Sequence, residues 1–163
     1  MITLGKFELS LLQEYYRNFE ADPDLYMDAA KYRPYRYDPK RVAAYHKRLS
    51  SQIDRVDRLI LLDGAPVGEI AFKRIDLARR SAELSIHLQN DRVKNRGVGT
   101  EAERLMLAVG FRELALQRIT ADAVLKNTRS QHVLERVGFR ETGRDDQKIT
   151  YAITREEWAA QNA

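Results

Sequence analysis

The sequence has 163 residues, no cysteine, and 28 basic against 24 acidic side chains, a formal charge of +4. That length suits one domain, and the lack of cysteine excludes thiol nucleophiles, Cys-ligated zinc and disulfide frameworks. Hydrophobic residues at 44% and charged residues at 32% make a globular rather than a disordered balance.

No uncharged stretch approaches the roughly 18 residues of a membrane span. Met1 to Phe7 lack the basic-then-apolar run of a signal peptide, so the cytoplasm is the expected location and no membrane partner is expected. The basic excess is small, and the arginines are dispersed among acids, which argues against nucleic acid. It suits an anionic ligand held at one place. No repeat or Ser/Gly linker interrupts residues 1–163, which read as one domain.

Ile2 to Glu8 reads as a strand, and Leu9 to Phe19 as a helix with Leu11, Leu12, Tyr15 and Phe19 at helical spacing. Glu20 to Asp38 carries an acidic cluster, then a basic one, and four of the eight tyrosines, and reads as a short helix with an irregular loop. Asp38-Pro39 starts a helix over 39–53, with Asp as N-cap and Pro at the first position. Asp57 to Leu62 and Pro66 to Arg74 form a hairpin about Asp63-Gly64. In the strand Ala82 to Gln89, Leu84, Ile86 and Leu88 point one way and Glu83, Ser85 and His87 the other. A helix follows residue 97, with Ala102, Leu105, Met106 and Val109 on one face. Ile119 to Leu125 is a strand. Asn127 to Val137 is a helix stopped by Gly138. Phe139 to Arg144 and Lys148 to Thr154 are the last strands, and Thr154 with Glu157 forms a capping box for a short helix bearing Trp158. The fold class expected is α/β, a mixed sheet of about seven strands with helices on both faces.

Lys94-Asn95-Arg96-Gly97-Val98-Gly99-Thr100 leads into a helix. Gly97 and Gly99 let the backbone approach a ligand, and the first N–H groups of the helix lack internal partners. Such a helix start suits an anion, above all a pyrophosphate. Lys94 and Arg96 add charge and Thr100 a hydroxyl. The plain alternative is a strand-to-helix loop with two turn glycines. The segment is neither a Walker loop nor the dinucleotide fingerprint, because the glycine and lysine spacing differs.

One strand later comes Asn127-Thr128-Arg129-Ser130-Gln131-His132-Val133-Leu134-Glu135-Arg136-Val137-Gly138-Phe139. With this second motif the chain resembles the GNAT acetyltransferase superfamily, closest to its RimJ/RimL-type branch of ribosomal-protein N-terminal acetyltransferases. That branch carries a Gln/Arg-x-x-Gly-x-Gly/Ala loop, Thr-Glu-Ala at the helix start, and Asn-x-x-Ser-x-x-Val-Leu-Glu-x-x-Gly-Phe. Here these are Lys94 to Gly99, Thr100-Glu101-Ala102 and Asn127 to Phe139, and Phe111, Leu114 and Arg118 also fall in place. Lys94 departs from the pattern, offering phosphate a point charge instead of a planar fork. The similarity covers about residues 56–145, the expected acetyl-CoA-binding core; residues 9–55 would form the acceptor side.

The resemblance implies direct transfer of acetyl from acetyl-CoA to an amine, with no metal. Lys94 to Thr100 would hold the pyrophosphate. A backbone N–H near Leu88 or Gln89 would face the thioester oxygen. Ser130 matches the serine that protonates the leaving thiolate, and Asn127 would cap its helix and meet the pantetheine arm. For the base that deprotonates the amine, three side chains compete: Asp122, mid-strand in an apolar run; Glu83; and His87, which titrates near neutral pH. Each could equally be a solvent-facing or salt-bridged residue. The acceptor expected is a protein N-terminal amine, favoured by the branch and by the aromatic segment 26–37. The alternatives are a small amine (a polyamine, an amino acid or an aminoglycoside) and a non-catalytic acyl-CoA-binding role. The edge of the final strands offers pairing to a second copy.

Overall fold

The computed structural model describes residues 1–21, 29–90 and 97–162. The elements in chain order are β1 (Ile2–Lys6), α1 (Leu9–Arg17), a 3-10 turn (Ala29–Lys31), α2 (Pro39–Ser50), β2 (Val56–Leu62), β3 (Ala65–Asp76), β4 (Ser81–Leu88), α3 (Val98–Ala108), a π turn (Val109–Glu113), β5 (Arg118–Val124), α4 (Thr128–Arg136), β6 (Arg140–Arg144), β7 (Lys148–Thr154) and α5 (Arg155–Gln161). Seven strands form one mixed sheet in the order β1-β2-β3-β4-β5-β7-β6.

Strand alternation divides the core. Ile60, Ile70, Phe72, Leu84 and Ile119 face α3 and α4 in the larger cluster, with Met106, Phe111 and Leu134. Leu59, on the opposite side of β2, packs with Leu12 and Tyr15 of α1 and Val42 of α2. Each such aliphatic or aromatic side chain contributes about 1.5–3 kcal/mol when fully buried. Between the register shifts at the two ends of β3, odd positions of β2, β3 and β4 therefore look towards α1 and α2 and even positions towards α3 and α4, while Val67 and Ile75, at those shifts, join the larger cluster.

Local chemistry sets the joints. Asp63 and Gly64 both have positive φ, 51° and 88°, as a two-residue primed turn requires. The Asp38 carboxylate accepts from Lys40 N–H at 2.9 Å and starts α2. Thr154 and Glu157 form the reciprocal capping box of α5. The π turn after α3 is absent from the sequence reading. Leu114 N–H reaches back to Val109 O at 3.0 Å, adding one residue to the turn. Gly110 sits within it, where a Cβ would lie 2.7 Å from the Phe72 ring. The missing side chain lets the helix end lie close on the sheet.

The final edge strand is β6, paired only with β7. Arg140, Glu141, Thr142 and Arg144 are exposed along it, and its register shifts between Glu141 and Gly143.

Candidate active site

β4 and β5 run parallel but pair only at Ser81 with Arg118, Ala82 with Ile119 and Glu83 with Thr120. Beyond that point β4 continues to Leu88 and β5 to Val124 without pairing, so the sheet opens into a gap. Gln89 N–H donates to Val67 O at 2.8 Å and is committed to β3. Backbone polar groups alternate sides along a strand, so those of Leu88 point the other way, into the gap. The sequence reading expects a donor near Leu88 or Gln89, and of the two it is Gln89 whose N–H is engaged in the ladder.

Two helices start beside this gap. α3 begins after Gly97, whose φ of 76° is left-handed and whose absent Cβ would touch nothing among the described residues. Glu101 N–H closes the first helical bond onto Gly97 O, which leaves the N–H groups of Val98, Gly99 and Thr100 at the free end. The Val98 side chain is buried in the core and Thr100 is buried in the first turn, so this end offers a ligand mainly backbone. A Cβ on Gly99 would sit 3.8 Å from Val133 of α4 and 4.0 Å from Leu88 of β4, so three elements meet here. Lys94, Asn95 and Arg96 lie outside the described residues.

α4 starts at Asn127, whose side-chain oxygen accepts from Ser130 N–H at 3.0 Å. Ser130 lies three residues before Val133 and so shares its stripe of the helix. The Ser130 side chain is half-buried, and its hydroxyl makes no hydrogen bond among the described residues. Gln131 braces the helix start by donating to Val124 O and Leu125 O at 3.0 and 3.1 Å.

The face towards α1 and α2 gathers the titratable groups. Asp122 is exposed rather than isolated in an apolar run: Lys148 Nζ donates to it at 3.0 Å. Glu83 meets Arg74 at 2.6 Å and Lys73 at 3.6 Å. His87 keeps an open side, while crowding by the strands and the charge of Lys73 push its pKa below the ordinary 6.5. Thr120, paired with Glu83, carries the same face on to Asp122 two residues later. All three base candidates therefore share one face.

A fourth carboxylate stands among them. Glu69 of β3 lies across from His87 of β4 and is only 7% exposed. Tyr45 OH donates to its Oε1 at 2.9 Å and Tyr16 OH to its Oε2. Burial raises its pKa, and the two tyrosine bonds oppose that shift. The sequence reading did not single it out; α1 and α2 are what cover it. Gly68 beside it has no space for a Cβ, which would meet His87 O at 2.7 Å.

The tyrosine-rich segment closes one side. Tyr35 packs on Phe19 and Tyr16, with ring centroids 5.2 and 5.6 Å apart. Asp22, Asp24, Tyr26 and Asp28 lie outside the described residues. Glu20 N–H donates to Gln89 O at 2.9 Å, which ties the end of α1 to the end of β4.

The model of the Acetyltransferase (GNAT) domain matches residues 2–140. "Putative ribosomal N-acetyltransferase YdaF" of Bacillus subtilis (strain 168) is 26% identical over 122 residues, covering 69% of this chain and 66% of its own. The chain thus spans just under two thirds of that relative's length. Among solved structures, Mycobacterium smegmatis RimJ in complex with CoA-disulfide superposes with a TM-score of 0.77 at 22% identity, covering 99% of this chain and 89% of its own. A spermidine N-acetyltransferase SpeG chimera from Vibrio cholerae and hSSAT reaches 0.80 at 17% identity, covering 97% and 98%. Likeness at these identities speaks for the fold.

Proposed function

Because the chain belongs to the GNAT acetyltransferase family, we propose that it transfers the acetyl group of acetyl-CoA to an amine, with a protein or peptide N-terminal amine as the leading acceptor. The observation that carries this reading is the gap between β4 and β5, with the Leu88 N–H aimed into it and the starts of α3 and α4 beside it. The residues present fit acetyl-CoA. A left-handed Gly97, with no described residue against its missing side chain, and the helix-start N–H groups of Val98 to Thr100 suit a pyrophosphate. Lys94, Asn95 and Arg96 are proposed to complete that cradle.

Acetyl-CoA supplies an activated thioester and a good leaving group. Leu88 N–H stabilises the developing oxyanion, an interaction whose removal typically costs about 10²–10³ in kcat in other enzymes. Ser130 Oγ, unbonded among the described residues, protonates the departing thiolate, a weak demand because a thiol's pKa is about 8.5. Asn127 orients Ser130 through the helix cap. His87 takes the proton of the acceptor amine: its depressed pKa keeps it neutral near pH 7. Asp122 and Glu83 are held by cations and shape the field around the amine.

A small-amine acceptor is the second reading, favoured by the buried Glu69 beside His87. Incubating the protein with acetyl-CoA and separate peptide and small-amine pools, then following thiol release and product mass, tests both. Failure to bind acetyl-CoA at millimolar concentration overturns the proposal. Tight binding without turnover on any amine favours a non-catalytic acyl-CoA-binding role.

A further inference from the structure

Glu69 poses a question that acetyl transfer alone does not answer. It is a buried carboxylate with no cation within ion-pairing distance among the described residues. The other charged groups nearby are already paired. Arg55 holds Asp57 at 2.9 Å, Lys73 and Arg74 share Glu83, and His87 is shifted towards its neutral form. Burying a carboxylate costs several kcal/mol unless something compensates it. Two tyrosine hydroxyls supply part of that. A carboxylate has about four acceptor sites, so two remain.

The carboxylate also borders a cavity. Glu69 lines a space of about 110 Å³ with Tyr45, the Arg55–Asp57 pair, Lys73, Ser85 and His87. At about 30 Å³ per water molecule, this holds three or four small heavy atoms. That is the tip of an aminoalkyl chain. The Tyr45 ring lines it and favours a cation.

We propose that this cavity is a cation subsite, in which Glu69, oriented by Tyr16 and Tyr45, binds a second ammonium group of the acceptor, distinct from the amine that is acetylated. The inference rests on the acetyl-transfer reading for the word acceptor, but the binding site stands on Glu69 alone. The ammonium has two sources, the far end of a diamine or a lysine side chain near the N-terminus of a peptide. Glu69 is in this role a positioning residue: it anchors the acceptor at a fixed distance from the gap where the thioester carbonyl would lie.

The test compares 1,4-diaminobutane with butylamine, and the peptide Ala-Lys-Gly with Ala-Gly-Gly. Calorimetric binding to the resting protein comes first, then steady-state kinetics at saturating acetyl-CoA. At least one dicationic probe is expected to bind ten-fold or more tightly than its monocationic partner. Glu69→Gln should erase that gap by raising the Kd and KM of the dicationic probe about ten-fold, with kcat within three-fold and the monocationic probe unchanged. Tyr45→Phe, which keeps the charge and removes one orienting bond, should weaken the same probe about three-fold. It serves if Glu69→Gln fails to fold. Whichever pair shows the gap identifies the source. Equal binding within both pairs, or an equal loss in all four probes on Glu69→Gln, overturns the subsite. Absence of turnover with a binding gap intact would refute acetyl transfer and leave the subsite standing.

Discussion

Replacing Glu103 with glutamine should make the protein more stable, and increasingly so as the pH rises. Glu103 lies one helical turn after Gly99, on the stripe of α3 that meets Val133 of α4. It is 1% exposed, and its Oε1 has no hydrogen-bond partner among the described residues. Desolvation alone pushes its pKa from the ordinary 4.5 to about 8. The folded carboxyl therefore keeps its proton in a range where the unfolded one has lost it. Between pH 4.5 and 8 the unfolded chain binds fewer protons, so stability falls with pH by about 1.4 kcal/mol per unit. At pH 7 the accumulated loss is about 3 kcal/mol, on the scale of a large single-site effect. Glutamine has no such proton. Urea unfolding of wild type and Glu103→Gln at pH 5, 6, 7 and 8 should give curves that diverge steadily in favour of the variant. Two curves that stay parallel within about half a kcal/mol across this range would refute the reasoning.

Other expectations follow from the site. Ser130→Ala should lower kcat about 100-fold and leave the KM for acetyl-CoA within three-fold, because a general acid acts in the transition state; initial rates at varied acetyl-CoA check this. The kcat/KM profile for an acceptor should fall at acid pH with a midpoint below the ordinary 6.5 of histidine, as His87 gains its proton, and His87→Gln should abolish that limb. Gly68→Ala should cost about 1–3 kcal/mol, since the new Cβ meets a backbone oxygen that cannot swing aside; thermal melts report it. Asp122→Asn should change kcat less than ten-fold if its bond to Lys148 reflects a structural duty, as rates at pH 7 would show.

How much of this was legible in the sequence depended on how far each signal reached. The Asp38 cap, the Asp63-Gly64 turn and the Thr154 and Glu157 box are written within four residues, and the structure forms each of them. The alternation of β4 separated Leu84, Ile86 and Leu88 from Glu83, Ser85 and His87, and the first three all pack in the larger core cluster. Long-range pairings were not readable. The choice between Leu88 and Gln89 hangs on Val67 across the ladder. Asp122 meets a lysine 26 residues away. Glu69 depends on Tyr16 and Tyr45, 53 and 24 residues distant, and no local pattern distinguishes it from a solvent-facing glutamate. The π turn leaves only Gly110 as its trace, because an added residue in a helical turn needs no special side chain beyond the space it takes up.

The outer strand β6 bears on how the molecule behaves when crowded. An open strand edge is a template for adding further strands, and proteins that avoid this place charges and irregularities there. Arg144 binds Glu141 at 2.5 Å and Arg140 binds Glu157 at 2.9 Å, so the edge is covered by fixed charge pairs. The register shift between Glu141 and Gly143 spoils the straight ladder that a second strand would need. This edge is thus armoured against growth into a longer sheet. Straightening that shift while replacing Arg140 and Arg144 with valine would turn the same edge into a polymerising surface.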